Sequence, residues 1–136
     1  MRSFFDTNIL VYADDLAADA KRERALALLE QHVAAGTAVL STQVLQEYYV
    51  SATRKLGVPP ATARSKVALF GRLDLVEVDL ELILGAIDVQ RLHQLSFWDA
   101  LIVRAATVAG CRQLFSEDLQ DGRQIDDLKI VNPLRA

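Results

Sequence analysis

Short apolar runs alternating with segments of helical spacing restrict this chain more than any other feature of its sequence. Ser3-Phe4-Phe5, Ala38-Val39-Leu40, Leu75-Val76-Glu77-Val78, Gln113-Leu114-Phe115 and Lys129-Ile130-Val131 are too short for helices and read as strands. Ser3–Phe5 is stopped by Asp6-Thr7-Asn8, which reads as the entry to a loop. Between the strands, Ala25, Leu28, Leu29 and Val33 recur at helical spacing from about Ala20 to Ala35, and Gly36 suits a C-terminal cap. Thr42 can cap a helix running to about Leu56, with Gly57 ending it. Pro59-Pro60 opens another that ends near Gly71. Asp79 caps the next, through about His93, and Ser96 opens the last, with Ala100-Leu101-Ile102-Val103 inside it and Gly110 at its end. Strands separated by helices predict an α/β fold: a central parallel sheet of about five strands with helices on both faces, three layers in all.

The 136 residues suffice for one domain, spanning 1–136, and 51% of them are apolar, enough for a core without disulfides. The one cysteine, Cys111, reads as a packing residue rather than a nucleophile, and a lone thiol fits a reducing compartment. No segment reaches the length of a transmembrane helix, and Met1–Leu10 lacks the regions of a signal peptide, so a cytoplasmic protein without a membrane partner is expected. A net charge of −3 argues against nucleic-acid binding driven by overall charge. The charge is uneven, +2 over residues 1–72 and −5 over 73–136, which fits either a solvated acidic surface or a cation site.

In parallel sheets, ligand sites lie beyond the carboxyl ends of the strands, where strand order reverses. Asp6 directly follows the first strand, Glu47 lies early in the helix after the second, and Asp118 follows the strand ending at Phe115-Ser116. Asp99 sits in the first turn of the Ser96 helix, which follows a helix, so pattern alone does not bring it to that edge. Carboxylates gathered there need protons or a cation between them, and oxygen donors without a His or Cys cluster favour Mg²⁺ or Mn²⁺ over zinc. His32 and His93 are expected on helix surfaces. Each acid also has a structural reading: Asp6 as a turn residue, Glu47 as an exposed helix residue, Asp118 as part of a polar loop. Ser96-x-x-Asp99 is patterned as a capping box. The topology moves the balance toward a metal site.

The same positions resemble the PIN-domain family, and within it the VapC-like ribonuclease toxins of type II toxin–antitoxin systems. The resemblance runs through Phe5-Asp6-Thr7-Asn8-Ile9-Leu10-Val11-Tyr12, Ser41-Thr42-Gln43-Val44-Leu45-Gln46-Glu47-Tyr48-Tyr49, Ser96-Phe97-Trp98-Asp99-Ala100-Leu101-Ile102 and Leu114-Phe115-Ser116-Glu117-Asp118-Leu119. It implies that Asp6, Glu47, Asp99 and Asp118 are catalytic acids holding Mg²⁺ or Mn²⁺, supported by Thr7, Asn8 and Ser116. Glu117 or Asp121 are neighbours able to replace Asp118. It further implies an RNA substrate cleaved by in-line attack of water without a covalent intermediate, a small antitoxin as partner, and a homodimer. Leu69-Phe70 and Leu80–Ile87 are candidate surfaces for those contacts. Arg54, Lys55, Arg64, Lys66 and Arg72 either guide the RNA backbone or form a solvated face. Trp98, Tyr48 and Tyr49 either stack on bases or belong to the core.

Three rivals stand beside this reading. A phosphate-accepting receiver domain also has a strand-edge acidic pocket, but it carries paired acids after its first strand, whereas Asp6 is followed by Thr7-Asn8. A general RNA-processing nuclease would share the acids and lack the antitoxin. A noncatalytic interaction module would use them only to stabilise the fold.

Overall fold

The structure, a computed structural model, describes residues 1–135. In chain order the elements are β1 (Ser3–Phe5), α1 (Thr7–Asp14), α2 (Ala20–Ala35), β2 (Ala38–Ser41), α3 (Thr42–Arg54), α4 (Pro60–Phe70), β3 (Asp74–Val76), α5 (Leu80–His93), α6 (Phe97–Val108), β4 (Gln113–Phe115), β5 (Gln124–Ile125) and β6 (Leu128–Val131). The sheet order is β3-β2-β1-β4-β6-β5. Its five expected strands are all parallel, and the two-residue β5 adds an antiparallel edge that the sequence reading lacked. The chain winds outward from β1 through β2 to β3, then returns past β1 to β4. Right-handed crossovers therefore put α1–α4 on one face and α5–α6 on the other. Order reverses between β1 and β4, so the crevice expected for a ligand opens where Asp6 and Ser116 leave the sheet.

The central strands are buried on both faces, as parallel sheets covered by helices require. Phe4, Phe5, Val39, Leu40, Leu114 and Ile130 form the middle of the core. Full burial of each such side chain is worth about 1.5–3 kcal/mol. Cys111 is buried among them, and burial pushes its thiol up to about 11, in keeping with a packing role. Among the described residues no helix is long and apolar enough to cross a membrane.

Several local expectations change. Asp6-Thr7-Asn8 opens a helix rather than a loop: Asp6 is the N-cap of α1 and accepts from Thr7 N at 2.7 Å. Ser41, not Thr42, caps α3, accepting from Val44 N at 3.3 Å, while the Thr42 hydroxyl accepts from Val78 N. α3 ends at Arg54, earlier than Leu56. His32 is buried, not on the surface. It packs edge-on against Phe5 and Phe115, with Nδ1 2.7 Å from Thr37 Oγ1, and burial holds its pKa below the usual value. Gly36 caps α2 as expected, in the left-handed region at φ 70°. Leu69, Leu80 and Ile87 are exposed, and Phe70 packs edge-on against Tyr48.

Of the three aromatics in doubt, Tyr48 is core, whereas Tyr49 and Trp98 are exposed. The Tyr48 hydroxyl donates to Asp14, which also receives Lys66, so one carboxylate ties α1 to α3 and α4. Tyr48→Phe leaves that mostly buried carboxylate short of a donor. The expected loss is about 2 kcal/mol of stability, read from urea unfolding. An unchanged midpoint would show that the hydroxyl does not hold these helices together.

Candidate active site

Asp6 is fixed where β1 passes into α1, and its side chain is almost fully buried. It accepts from Thr7 N at 2.7 Å, Ser116 Oγ at 2.7 Å and Asn8 Nδ2 at 3.3 Å. Burial pushes its carboxyl up to about 6, the hydrogen bonds from Ser116 and Thr7 oppose that, and the charges of Asp118 and Glu47 add to it. A buried acid crowded by like charge gains most from a counter-ion.

Glu47 lies in the second turn of α3. Its Oε1 accepts from Thr7 Oγ1 at 2.6 Å and its Oε2 from Gln43 Nε2 at 3.4 Å. Thr7 therefore joins α1 to α3 at the crevice. Asp118 is exposed, and Asn8 Nδ2 reaches its Oδ2 at 3.1 Å. Asn8 Oδ1 accepts from Glu117 N at 3.0 Å, and Ser116 Oγ accepts from Asp118 N at 3.1 Å. Thr7, Asn8 and Ser116 thus hydrogen-bond directly to these acids.

Glu117 and Asp121, the two neighbours that compete with Asp118, are engaged elsewhere. Glu117 accepts from Tyr12 OH at 2.6 Å and pairs with Lys21 at 2.7 Å. Partial burial raises its carboxyl, but these two donors outweigh it and hold it below the usual value. Asp121 accepts from Asn132 N at 2.9 Å and pairs with Arg135 at 3.3 Å.

Asp99 is half-buried in the first turn of α6, and its N–H donates to Ser96 Oγ at 3.1 Å. Among the described residues its carboxylate accepts no hydrogen bond, so only half of the capping box forms. It is linked to the other acids indirectly. Gln43 Nε2 donates to Trp98 O at 3.2 Å as well as to Glu47, tying the start of α6 to α3. Gln43 is the site residue that sequence reasoning missed. It is buried, and among the described residues its Oε1 has no donor. A polar residue four before Glu47, on the same helix face, was the available signal.

Among the described residues, no three His, Cys, Asp or Glu side chains stand together as a ready metal site. The donors nevertheless fit a hard divalent cation. All are oxygens, one acid carries a raised pKa, and a buried amide oxygen beside Glu47 lacks a partner among the described residues. Against this corner lies a cleft of about 840 Å³ between α1 and α3, lined by Glu47, Asp118 and Asn8 among others.

A doubly wound sheet with buried acid at its point of strand reversal defines a class of α/β proteins whose chemistry sits at the strand ends. Within that class this chain belongs to the PIN domain family, whose sequence model matches residues 3–126. No curated protein sequence matches it. Solved structures of similar fold include VapC20 of Mycobacterium tuberculosis, described as a Sarcin-Ricin loop cleaving toxin, at TM-score 0.66 and 23% identity over 85% of this chain and 91% of that one. A toxin–antitoxin complex from Klebsiella pneumoniae matches at TM-score 0.69 and 19% identity over 96% and 97%. VapBC2 of Rickettsia felis, bound to a DNA fragment from its promoter, matches at TM-score 0.66 and 21% identity over 96% and 97%.

Proposed function

We propose that this protein is a metal-dependent endoribonuclease, the toxin of a toxin–antitoxin pair, acting in the cytoplasm. The observation that carries the reading is the buried Asp6 at the crevice, bonded to Thr7 N and Asn8 Nδ2, whose side chains also hold Glu47 and Asp118. Asp6, Glu47, Asp99 and Asp118 would hold Mg²⁺ or Mn²⁺. When bound, the ion lowers the pKa of water and offsets charge on the leaving oxygen.

The chain's own part is positioning and charge. Thr7 orients Glu47, Ser116 and Asn8 fix the loop that carries Asp118, and three donors hold Asp6 in one rotamer. The acids repel a phosphodiester until a cation offsets them, which makes RNA entry depend on the ion. An RNA substrate and a small antitoxin are supported by family membership and by the toxin and toxin–antitoxin structures of the same fold. The exposed Leu80, Leu84 and Ile87 on α5 supply apolar surface for a homodimer.

The test is RNA cleavage by wild type and Asp99→Asn in Mg²⁺, Mn²⁺ and EDTA. Wild type should cut with either ion and stop in EDTA, and Asp99→Asn should lose about a hundredfold or more in rate. Cleavage that persists in EDTA and in the variant alike would defeat the proposal.

A further inference from the structure

We propose that the cleft between α1 and α3 is a substrate subsite in which Lys55 binds a phosphate flanking the scissile one. This rests on the nuclease reading and extends it to how the strand is held. Glu47, Ser51 and Lys55 follow one another at intervals of four residues, so they lie along one face of α3 and its C-cap. At 1.5 Å per residue, Lys55 stands about 12 Å along the axis from Glu47. The same cleft touches all three, and the facing wall is the α1 face of Asn8, Val11, Tyr12 and Asp15. The cleft therefore runs from the acids at the crevice toward one lysine.

The charges along it are unequal. Asp15, Glu47, Glu117 and Asp118 line it, and Lys55 is the one Lys or Arg that does so among the described residues. The other nearby lysines are committed, Lys21 to Glu117 and Lys66 to Asp14. Lys55 has no ion pair among the described residues and is exposed. A lysine at a helix C-terminus is favourable on dipole grounds alone, but that does not require it to face the cleft. Of the five basic residues that the sequence offered as either RNA guides or a solvated face, Arg54, Arg64, Lys66 and Arg72 do not line this cleft. A strand laid with one phosphate at the acids reaches the amine with another. Val11, Val50 and Tyr12 offer apolar surface to the sugar and base between them.

The experiment uses a short RNA whose mapped scissile phosphate is replaced by an uncleavable, still anionic methylene phosphonate, bound to the wild-type protein in Mg²⁺ and followed by fluorescence anisotropy across a salt series. Lys55→Met should weaken binding about tenfold and make the slope of log K against log salt shallower by about 0.7. Lys55→Arg should restore most of it, and Arg112→Met, at the amino end of β4 and away from the crevice, should change it less than about twofold. Replacing single phosphates by neutral methylphosphonates should reveal one flanking position whose loss weakens the parent and leaves Lys55→Met unaffected. Equal binding by parent and Lys55→Met, or no such position, overturns the subsite while leaving the nuclease intact. A wild type that neither binds nor cuts RNA in Mg²⁺ overturns both.

Discussion

In the absence of divalent cations, Asp6→Asn should melt several degrees above wild type at pH 7.5 and at nearly the same temperature at pH 4. The carboxyl of Asp6 ionises near 3.8 in an unfolded chain and at about 6 in the folded one, chiefly because burial removes it from water. Between those values the folded state holds the extra proton, so this group's contribution to stability falls as pH rises from about 4 to about 6. Above pH 6 the full penalty stands. The shift corresponds to about 3 kcal/mol at most. Asparagine removes the charge but presents an amide donor toward Asn8, so the net gain is smaller, about 1–2 kcal/mol. Mg²⁺ should stabilise wild type and leave the variant nearly unmoved, because binding to the folded state alone shifts the equilibrium. Cleavage by the variant should fall by at least about a hundredfold. The same residue would thus destabilise the fold and enable the chemistry, the trade expected of an active site. A variant less stable than wild type at pH 7.5, or equally displaced at pH 4, would show that ionisation of Asp6 is not what strains the crevice.

The five parallel strands were legible because each carries a short apolar run, whereas the two-residue β5 is too short to leave one. α1 was not legible, because Thr7–Asp14 is a short stretch around a solid apolar run, Ile9–Tyr12, and shows no helical alternation. Of the α2 residues at helical spacing, Ala25 and Leu29 are buried and Leu28 packs against the core, whereas Val33 is exposed and His32, at i+7 from Ala25, completes the buried face. A histidine at that spacing was the signal for its burial. Of the acids, Asp6, Glu47 and Asp118 could be placed from topology, since each follows a parallel strand directly or within a helix turn or two. Asp99 could not, because its position depends on how α6 docks, and that docking runs through Gln43 and the Trp98 carbonyl. The pairing of Lys21 with Glu117 was equally hidden, since it joins residues from α2 and the loop after β4. It matters, because it separates Glu117 from Asp118, two adjacent acids that the sequence could not tell apart.

Ser116→Ala should damage both stability and cleavage, with a pH signature that separates it from simple cavity formation. Ser116 is fully buried, and its hydroxyl donates to Asp6 Oδ2 at 2.7 Å while accepting from Asp118 N at 3.1 Å and Leu119 N at 3.4 Å. Alanine withdraws the donor that most favours ionised Asp6 and leaves two backbone N–H groups without their acceptor. The Asp6 carboxyl should then move further above its ordinary range, since the lost bond was the larger of those lowering it. The sign follows: the metal-free variant should lose about 1 kcal/mol at pH 4, where Asp6 is protonated, and about 2–3 kcal/mol at pH 7.5, where it is charged. Cleavage should drop about 10–100-fold, the usual cost of removing a group that orients metal-binding acids. Its acidic limb should shift to higher pH. Ser116→Thr keeps the hydroxyl and should hold both the limb and most of the rate. If alanine instead lowered stability equally at both pH values and left the acidic limb in place, Ser116 would be a packing residue. Asp6 would then owe its ionisation to the hydrogen bond from Thr7 N.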